Sequence, residues 1–153
     1  MSIKEKLSEL GLTLPTAAAP VAAYVPAVRS GNLVFTAGQL PVVDGKLVKE
    51  GKVGREVTAE DAKELAQICA LNALAAISLV ADLDQVERVV RVGGFVNCAP
   101  GFTAIPGVVN GASELLIKVF GDVNGKHART AVGVAELPLN APVEIELIVQ
   151  LKN

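Results

Sequence analysis

Aromatic side chains make up only 3% of this 153-residue chain, with no tryptophan, one tyrosine and four phenylalanines; there is one histidine, and there are two cysteines. Cys69 and Cys98 lie far apart with no Cys-x-x-Cys, so neither a disulfide framework nor a thiolate zinc cluster is indicated, and a reducing, cytoplasmic location is expected. Lys and Arg number 14 against 16 Asp and Glu, a net charge of −2, and no basic run is long enough to follow a phosphate backbone. Nucleic acid is therefore not an expected partner. The uncharged stretch from Leu65 to Ala81 is broken by Gln67, Asn72 and Ser78 and falls short of the roughly 20 apolar residues of a membrane span. The N-terminal residues mix both charge signs without an apolar region, so no secretory signal is expected.

What the chain does have is aliphatic bulk. Hydrophobic residues make up 51%, and the mean hydropathy is +0.46, carried by Ala, Val, Leu and Ile. That predicts one well-packed domain over residues 1–153. Ile3, Leu7 and Leu10 recur at helical spacing ahead of Gly11, which predicts a short amphipathic helix, with residues 1–19 read as a helical extension. Pro15, Pro20 and Pro26 predict an extended surface segment from Leu14 to Pro26. A strand is expected over Arg29 to Gln39, entered through Ser30-Gly31-Asn32, and Asp44-Gly45 predicts a small hairpin or irregular loop.

Thr58, with Asp61 three residues on, marks a helix start close to a capping box. The stripe Ala62, Leu65, Ala66, Cys69, Ala73, Ala76, Ile77 and Val80 gives that helix a face able to lie close on a sheet. Val86 to Val96 reads as a strand leading into a loop that ends at Gly101, and a second helix is expected from Pro106 to Phe120. Ala128 to Leu137 and Val143 to Leu151, joined by Pro138-Leu139-Asn140, predict a C-terminal hairpin. The order of elements predicts an α+β class, with two main helices on one face of a mixed, mainly antiparallel sheet.

Common catalytic signatures are missing. Ser113 sits in Gly111-Ala112-Ser113-Glu114-Leu115 rather than in Gly-x-Ser-x-Gly, and there is no His-Glu-x-x-His. Gly121 to His127 resembles a phosphate loop only in its Gly-Lys pair. His127, alone at the start of a strand, reads as structural or solvated, or as an acid or base. Arg129 opens an apolar strand and is followed on its own face by Ala131, Gly133 and Ala135. Small neighbours leave room for a guanidinium that either pairs with a surface carboxylate or forks a ligand carboxylate. Glu144 and Glu146 share the opposite face of the last strand from its apolar residues. In the expected hairpin Arg129 falls near Gln150 and Glu144 near Ala135, roughly 20 Å apart at the strand rise. A site using both must combine neighbouring subunits.

Gly31-Asn32-Leu33-Val34-Phe35-Thr36-Ala37-Gly38-Gln39-Leu40-Pro41, then Ala128-Arg129-Thr130-Ala131-Val132-Gly133-Val134-Ala135-Glu136-Leu137-Pro138, then Val143-Glu144-Ile145-Glu146, resemble the reactive intermediate deaminase family. That family is also called RidA or YjgF-like and, in older usage, the L-PSP endoribonuclease family. The resemblance covers about residues 20 to 152 and implies a chorismate-mutase-like fold assembled as a homotrimer with clefts between subunits. It implies that Arg129 binds the carboxylate of a 2-imino acid and that Glu144 positions or activates water. It also implies that Tyr24 closes the pocket, and that backbone at Ala37 and Gly38, with Asn110, completes it. Ala131 stands in the pocket where the family often has cysteine, His127 stands where it has proline, and residues 93–101 lack its acidic residues, which marks a divergent branch.

The reaction so implied is hydrolytic deamination of 2-enamine and 2-imine acids, of the 2-aminoacrylate and 2-iminopropionate type, to 2-keto acids and ammonia. No metal or cofactor is expected. The expected partners are the small imino or keto acid and two further copies of the chain, with neither nucleic acid nor membrane. A non-catalytic, carboxylate-binding regulatory homotrimer is the alternative from a different class, and a ribonuclease is the third reading.

Overall fold

A computed structural model describes residues 1–17 and 23–153. Pro20, and with it the middle of the extended segment expected from Leu14 to Pro26, lies outside the described residues. The first helix, α1 (Ile3–Glu9), starts at a complete capping box. Ser2 Oγ accepts from the Glu5 amide at 3.1 Å, and the Glu5 carboxylate accepts from the Ser2 amide at 2.7 Å. Ile3 and Leu7 are buried, whereas Leu10 caps the helix and is exposed, so the expected three-residue stripe has two buried members.

The strand expected over Arg29 to Gln39 is instead a hairpin of β1 (Ala27–Ser30) and β2 (Leu33–Thr36), with Ser30 opposite Leu33. Gly31, at φ +61°, reverses the chain there rather than merely leading into a strand. Asp44 and Gly45 both have positive φ and join β3 (Val42–Val43) to β4 (Lys46–Leu47), as the Asp-Gly pair predicts.

Helix α2 (Ala59–Ile77) begins where Thr58 Oγ1 accepts from the Asp61 amide at 3.1 Å. Only that arm of the cap forms, because the Asp61 carboxylate takes Lys49 Nζ at 2.7 Å. The helix ends before Val80, the last residue of the expected stripe. It is followed by β5 (Val86–Asn97), α3 (Ile105–Asn124), β6 (Ala128–Val134) and β7 (Val143–Leu151). β5 thus covers the strand expected over Val86 to Val96 and takes in one residue of the expected loop, buried Asn97, which is tied down by Lys52 Nζ at 2.7 Å. Gly121 interrupts the helical backbone of α3 at φ 87°, next to the expected end at Phe120.

The five-stranded sheet has the order β1-β2-β7-β5-β6, with β5 and β6 parallel and every other pair antiparallel. The C-terminal hairpin therefore does not exist: β5 lies between β6 and β7. Left at an edge, the 12-residue β5 would present a long row of unpaired backbone N–H and C=O groups, so it takes a partner on both sides. The β5-α3-β6 crossover fills one side in parallel and leaves the other to β7.

Both long helices pack on the same face of the sheet, α2 against β2 and β7, where Val34, Ile145, Leu147 and Val149 are all at most 1% exposed, and α3 against β5 and β6. Gly111 sets their closest approach, since a Cβ there would lie 1.8 Å from the Lys63 carbonyl oxygen. Along β7, Val143, Ile145, Leu147, Val149 and Leu151 turn to the helices, so Glu144, Glu146, Ile148 and Gln150 turn away. Truncating a core residue such as Leu147 to Ala costs about 2–5 kcal/mol. On the face without helices, Val28, Phe35 and Val132 remain 39–52% exposed.

Candidate functional site

Arg129 stands opposite Val92 on β6 and points to the helix-covered side. There its Nη1 donates to Asn110 Oδ1 at 2.8 Å and to Ser113 Oγ at 3.2 Å, and its Nη2 reaches the Pro106 carbonyl at 3.4 Å. Asn110 and Ser113 are three apart on α3, so they fall on one helix face. Among the described residues no carboxylate lies within ion-pair distance of Arg129, so the surface salt bridge is not made. Ala131 follows on the same face opposite Gly94, adding no polar atom and little bulk.

Ser113 is buried and also meets His127: Oγ lies 2.9 Å from Nε2, while Nδ1 lies 2.7 Å from the Gly125 carbonyl oxygen. Burial holds the His127 pKa below the usual imidazole range; the Gly125 bond opposes this and the Arg129 charge adds to it. His127 is thus half-buried and bonded at both ring nitrogens rather than isolated.

Glu144 lies on the other face of the sheet, opposite Phe95. Its carboxyl covers Gly38, where an added Cβ would come within 2.7 Å of the carboxyl carbon. Residues 37–39 are held against β7 by reciprocal backbone bonds between Gln39 and Ile145 at 2.8 and 3.0 Å. The Ala37 amide binds the Pro26 carbonyl at 2.8 Å, which places the segment after Tyr24 beside them. Tyr24 itself is 54% exposed. Burial raises the Glu144 pKa above the usual carboxylate range, and neighbouring Glu146 raises it further. Glu146 in turn fills the space left by Gly93.

The expected residues therefore fall into two groups. Arg129, Asn110 and Ala131 occupy the helix side near the β6 edge, while Glu144, Ala37 and Gly38 occupy the far face towards β2. Tyr24 precedes β1, the opposite edge strand, about 19 Å from β6 at four strand spacings. The pairings expected from a hairpin are replaced by Arg129–Val92–Leu147 and Val132–Phe95–Glu144, three positions apart along the strands. What separates Arg129 from Glu144 is the sheet itself.

Ser113 and the Pro106 carbonyl were not foreseen as partners of Arg129. The available signal was the spacing of Pro106, Asn110 and Ser113 on a helix whose start the proline marks. Among the described residues no group of three His, Cys, Asp or Glu side chains gathers in one place, and Cys69 and Cys98 are free thiols. Among the described residues no helix is long and apolar enough to cross a membrane.

A family model described as "YjgF/chorismate_mutase-like, putative endoribonuclease" matches residues 4–151. Protein TCP17 of Trypanosoma cruzi is 43% identical over 152 residues, covering 99% of this chain and 95% of that protein. A 2-iminobutanoate/2-iminopropanoate deaminase of Dermatophagoides farinae is 33% identical over 141 residues, covering 92% and 95%. The crystal structure of a protein of unknown function from Agrobacterium tumefaciens superposes with a TM-score of 0.88 at 45% identity, covering 98% and 92%. With its α+β architecture and a match over nearly its whole length, the chain belongs to the YjgF/chorismate mutase-like family.

Proposed function

We propose that the chain is a cytoplasmic hydrolytic deaminase of 2-imino acids, working as a homotrimer whose clefts each join the Arg129 side of one copy to the Glu144 side of the next. The observation that carries this reading is the half-buried Arg129 guanidinium, held by three neutral oxygens with no carboxylate beside it among the described residues. Desolvating a cation without a counter-charge costs several kcal/mol, which an anionic ligand offsets. The relatives named as 2-iminobutanoate/2-iminopropanoate deaminases act on acids of that kind.

In the proposed reaction Arg129 anchors the substrate carboxylate, with Asn110 behind it and Ala131 leaving space beside it. Glu144 takes a proton as water adds to the C=N carbon and returns it to nitrogen. The tetrahedral intermediate's hydroxyl then gives its proton, through Glu144, to nitrogen, and the C–N bond breaks as C=O forms, leaving ammonia and the 2-keto acid. Tyr24 and the backbone at Ala37 and Gly38 close the cleft from the second copy, and the exposed Val28, Phe35 and Val132 provide apolar surface for the contact.

The test is 2-iminopropanoate hydrolysis in a coupled amino-acid oxidase assay, with wild type and Arg129→Ala side by side and the mass in solution measured by light scattering. Acceleration by a trimeric wild type, lost in the variant, is the expected result. A trimer that binds pyruvate but accelerates nothing overturns catalysis and leaves a carboxylate-binding protein.

A further inference from the structure

The deaminase reading makes no use of His127, yet this histidine is bonded at both ring nitrogens. The Gly125 carbonyl can only accept, so Nδ1 carries the proton in its 2.7 Å contact. Nε2 is then a bare acceptor, and the hydroxyl 2.9 Å away must be the donor. Ser113 has one hydrogen and gives it to His127. Its oxygen therefore turns only lone pairs to its other neighbour, Nη1 of Arg129, at 3.2 Å.

This orders the guanidinium. One Nη1 hydrogen goes to Asn110 and the other to Ser113, and one Nη2 hydrogen reaches the Pro106 carbonyl. Among the described residues Nε has no acceptor, and together with Nη2, whose 3.4 Å contact is the longest of the three, it forms the side-on fork that matches a carboxylate. A serine without the histidine is a free rotor that aims its hydrogen at Arg129 part of the time and loosens the fork. Burial keeps His127 in the neutral form that this arrangement needs.

We propose that His127 and Ser113 are positioning residues: the neutral, Nδ1-protonated imidazole fixes the Ser113 hydroxyl so that its oxygen holds the Arg129 fork in register for the substrate carboxylate. The proposal rests on the reading that Arg129 binds that carboxylate. It assigns no bond-making role to Ser113, which is 8% exposed.

The experiment measures kcat and KM for 2-iminopropanoate and the Kd of pyruvate in wild type, Ser113→Ala, His127→Met, His127→Gln and the double variant Ser113→Ala/His127→Met. His127→Met removes the acceptor and is expected to raise KM and Kd about tenfold, with kcat within about twofold, the worth of one hydrogen bond to a charged group. Gln keeps an acceptor at the same reach and is expected to bring KM back to within about threefold of wild type. The double variant is expected to be no worse than either single one, because both act through one hydroxyl.

Unchanged KM in His127→Met, equal damage from Met and Gln, or fluorophosphonate labelling of Ser113 each overturn the proposal. Nitrogen NMR of the wild-type imidazole judges it without any variant: a proton on Nδ1 is expected, and a proton on Nε2 overturns it. A wild type that neither turns over 2-iminopropanoate nor binds pyruvate, yet shows the expected tautomer, instead overturns the carboxylate reading of Arg129.

Discussion

The Arg129 cluster and the Glu144 cluster are built in opposite ways. Arg129 reaches into α3 and meets partners of its own chain at Asn110, Ser113 and Pro106, with His127 behind them. Glu144 lies on the uncovered face, packed over a glycine, with another carboxylate as its charged neighbour and burial working against its ionisation. One cluster is organised before anything binds. The other is unfinished, because a carboxylate with a raised pKa gains when a donor or cation arrives. On the proposed reading the site is split between copies, with order stored on one side and reactivity on the other.

The comparison breaks most completely if the uncovered face is not where copies meet. Phe35→Asp places a charge on that face opposite Ile148, at a position already 40% exposed in the single chain, so the fold tolerates it. The expected result is a folded monomer by light scattering and circular dichroism, with deamination at the uncatalysed rate. A trimer with full activity would show that the copies meet elsewhere.

Next in size are the two clusters themselves. Glu144→Gln is expected to lower kcat by about 10²-fold or more, the usual worth of a positioned acid or base. Arg129→Ala is expected to raise KM by about 10²-fold, as loss of a charge-assisted fork does. Mixing the two variants after unfolding and reassembly is expected to restore about a quarter of wild-type activity, since random assortment pairs a good Arg129 with a good Glu144 at one interface in four. No recovery would mean that both groups serve from the same chain.

A smaller effect is expected at Gly38. Alanine there crowds the Glu144 carboxyl, which must turn aside by roughly an ångström, and a general base so displaced loses about tenfold in kcat with KM unchanged. Steady-state kinetics read this directly, and full activity in Gly38→Ala would remove Glu144 from the chemistry.

Local pattern made most of the elements legible: the alternation in β7, the Thr58 cap, the Asp44-Gly45 turn and the proline at the start of α3 are short-range signals, and each element formed. Strand order was not legible. Ala128 to Leu137 and Val143 to Leu151 are adjacent in sequence, but adjacency cannot reveal that a third strand with two hungry edges comes between them. The same limit governed the site. Arg129 was found as a charge in an apolar strand and Glu144 through the family resemblance, on the polar face of its strand, whereas their separation by the sheet followed from a register that only the assembled strands set. Ser113 was weighed only as a hydrolase serine and set aside; the helical spacing that joins it to Asn110 places it beside Arg129, but the direction of its hydroxyl hydrogen is set by His127 and is encoded in no spacing.

The finest test concerns stability in the monomeric Phe35→Asp background, where Glu144 meets no second copy. Its raised pKa means that the folded chain holds this proton more tightly than the unfolded one does. The stability so contributed is complete below the ordinary carboxylate range and is lost as pH rises through the raised value. Glu144→Gln removes the titration, so it is expected to match its parent near pH 4 and to melt higher at pH 7.5 by about 2 °C, a small gap because solvent screens the half-exposed carboxyl. In the assembled wild type the gap is expected to close or reverse, since a guanidinium brought across by the neighbouring copy holds the carboxylate ionised. A gap that is the same in both backgrounds would mean that nothing cationic ever reaches Glu144, and the two clusters would then belong to two sites rather than to the halves of one.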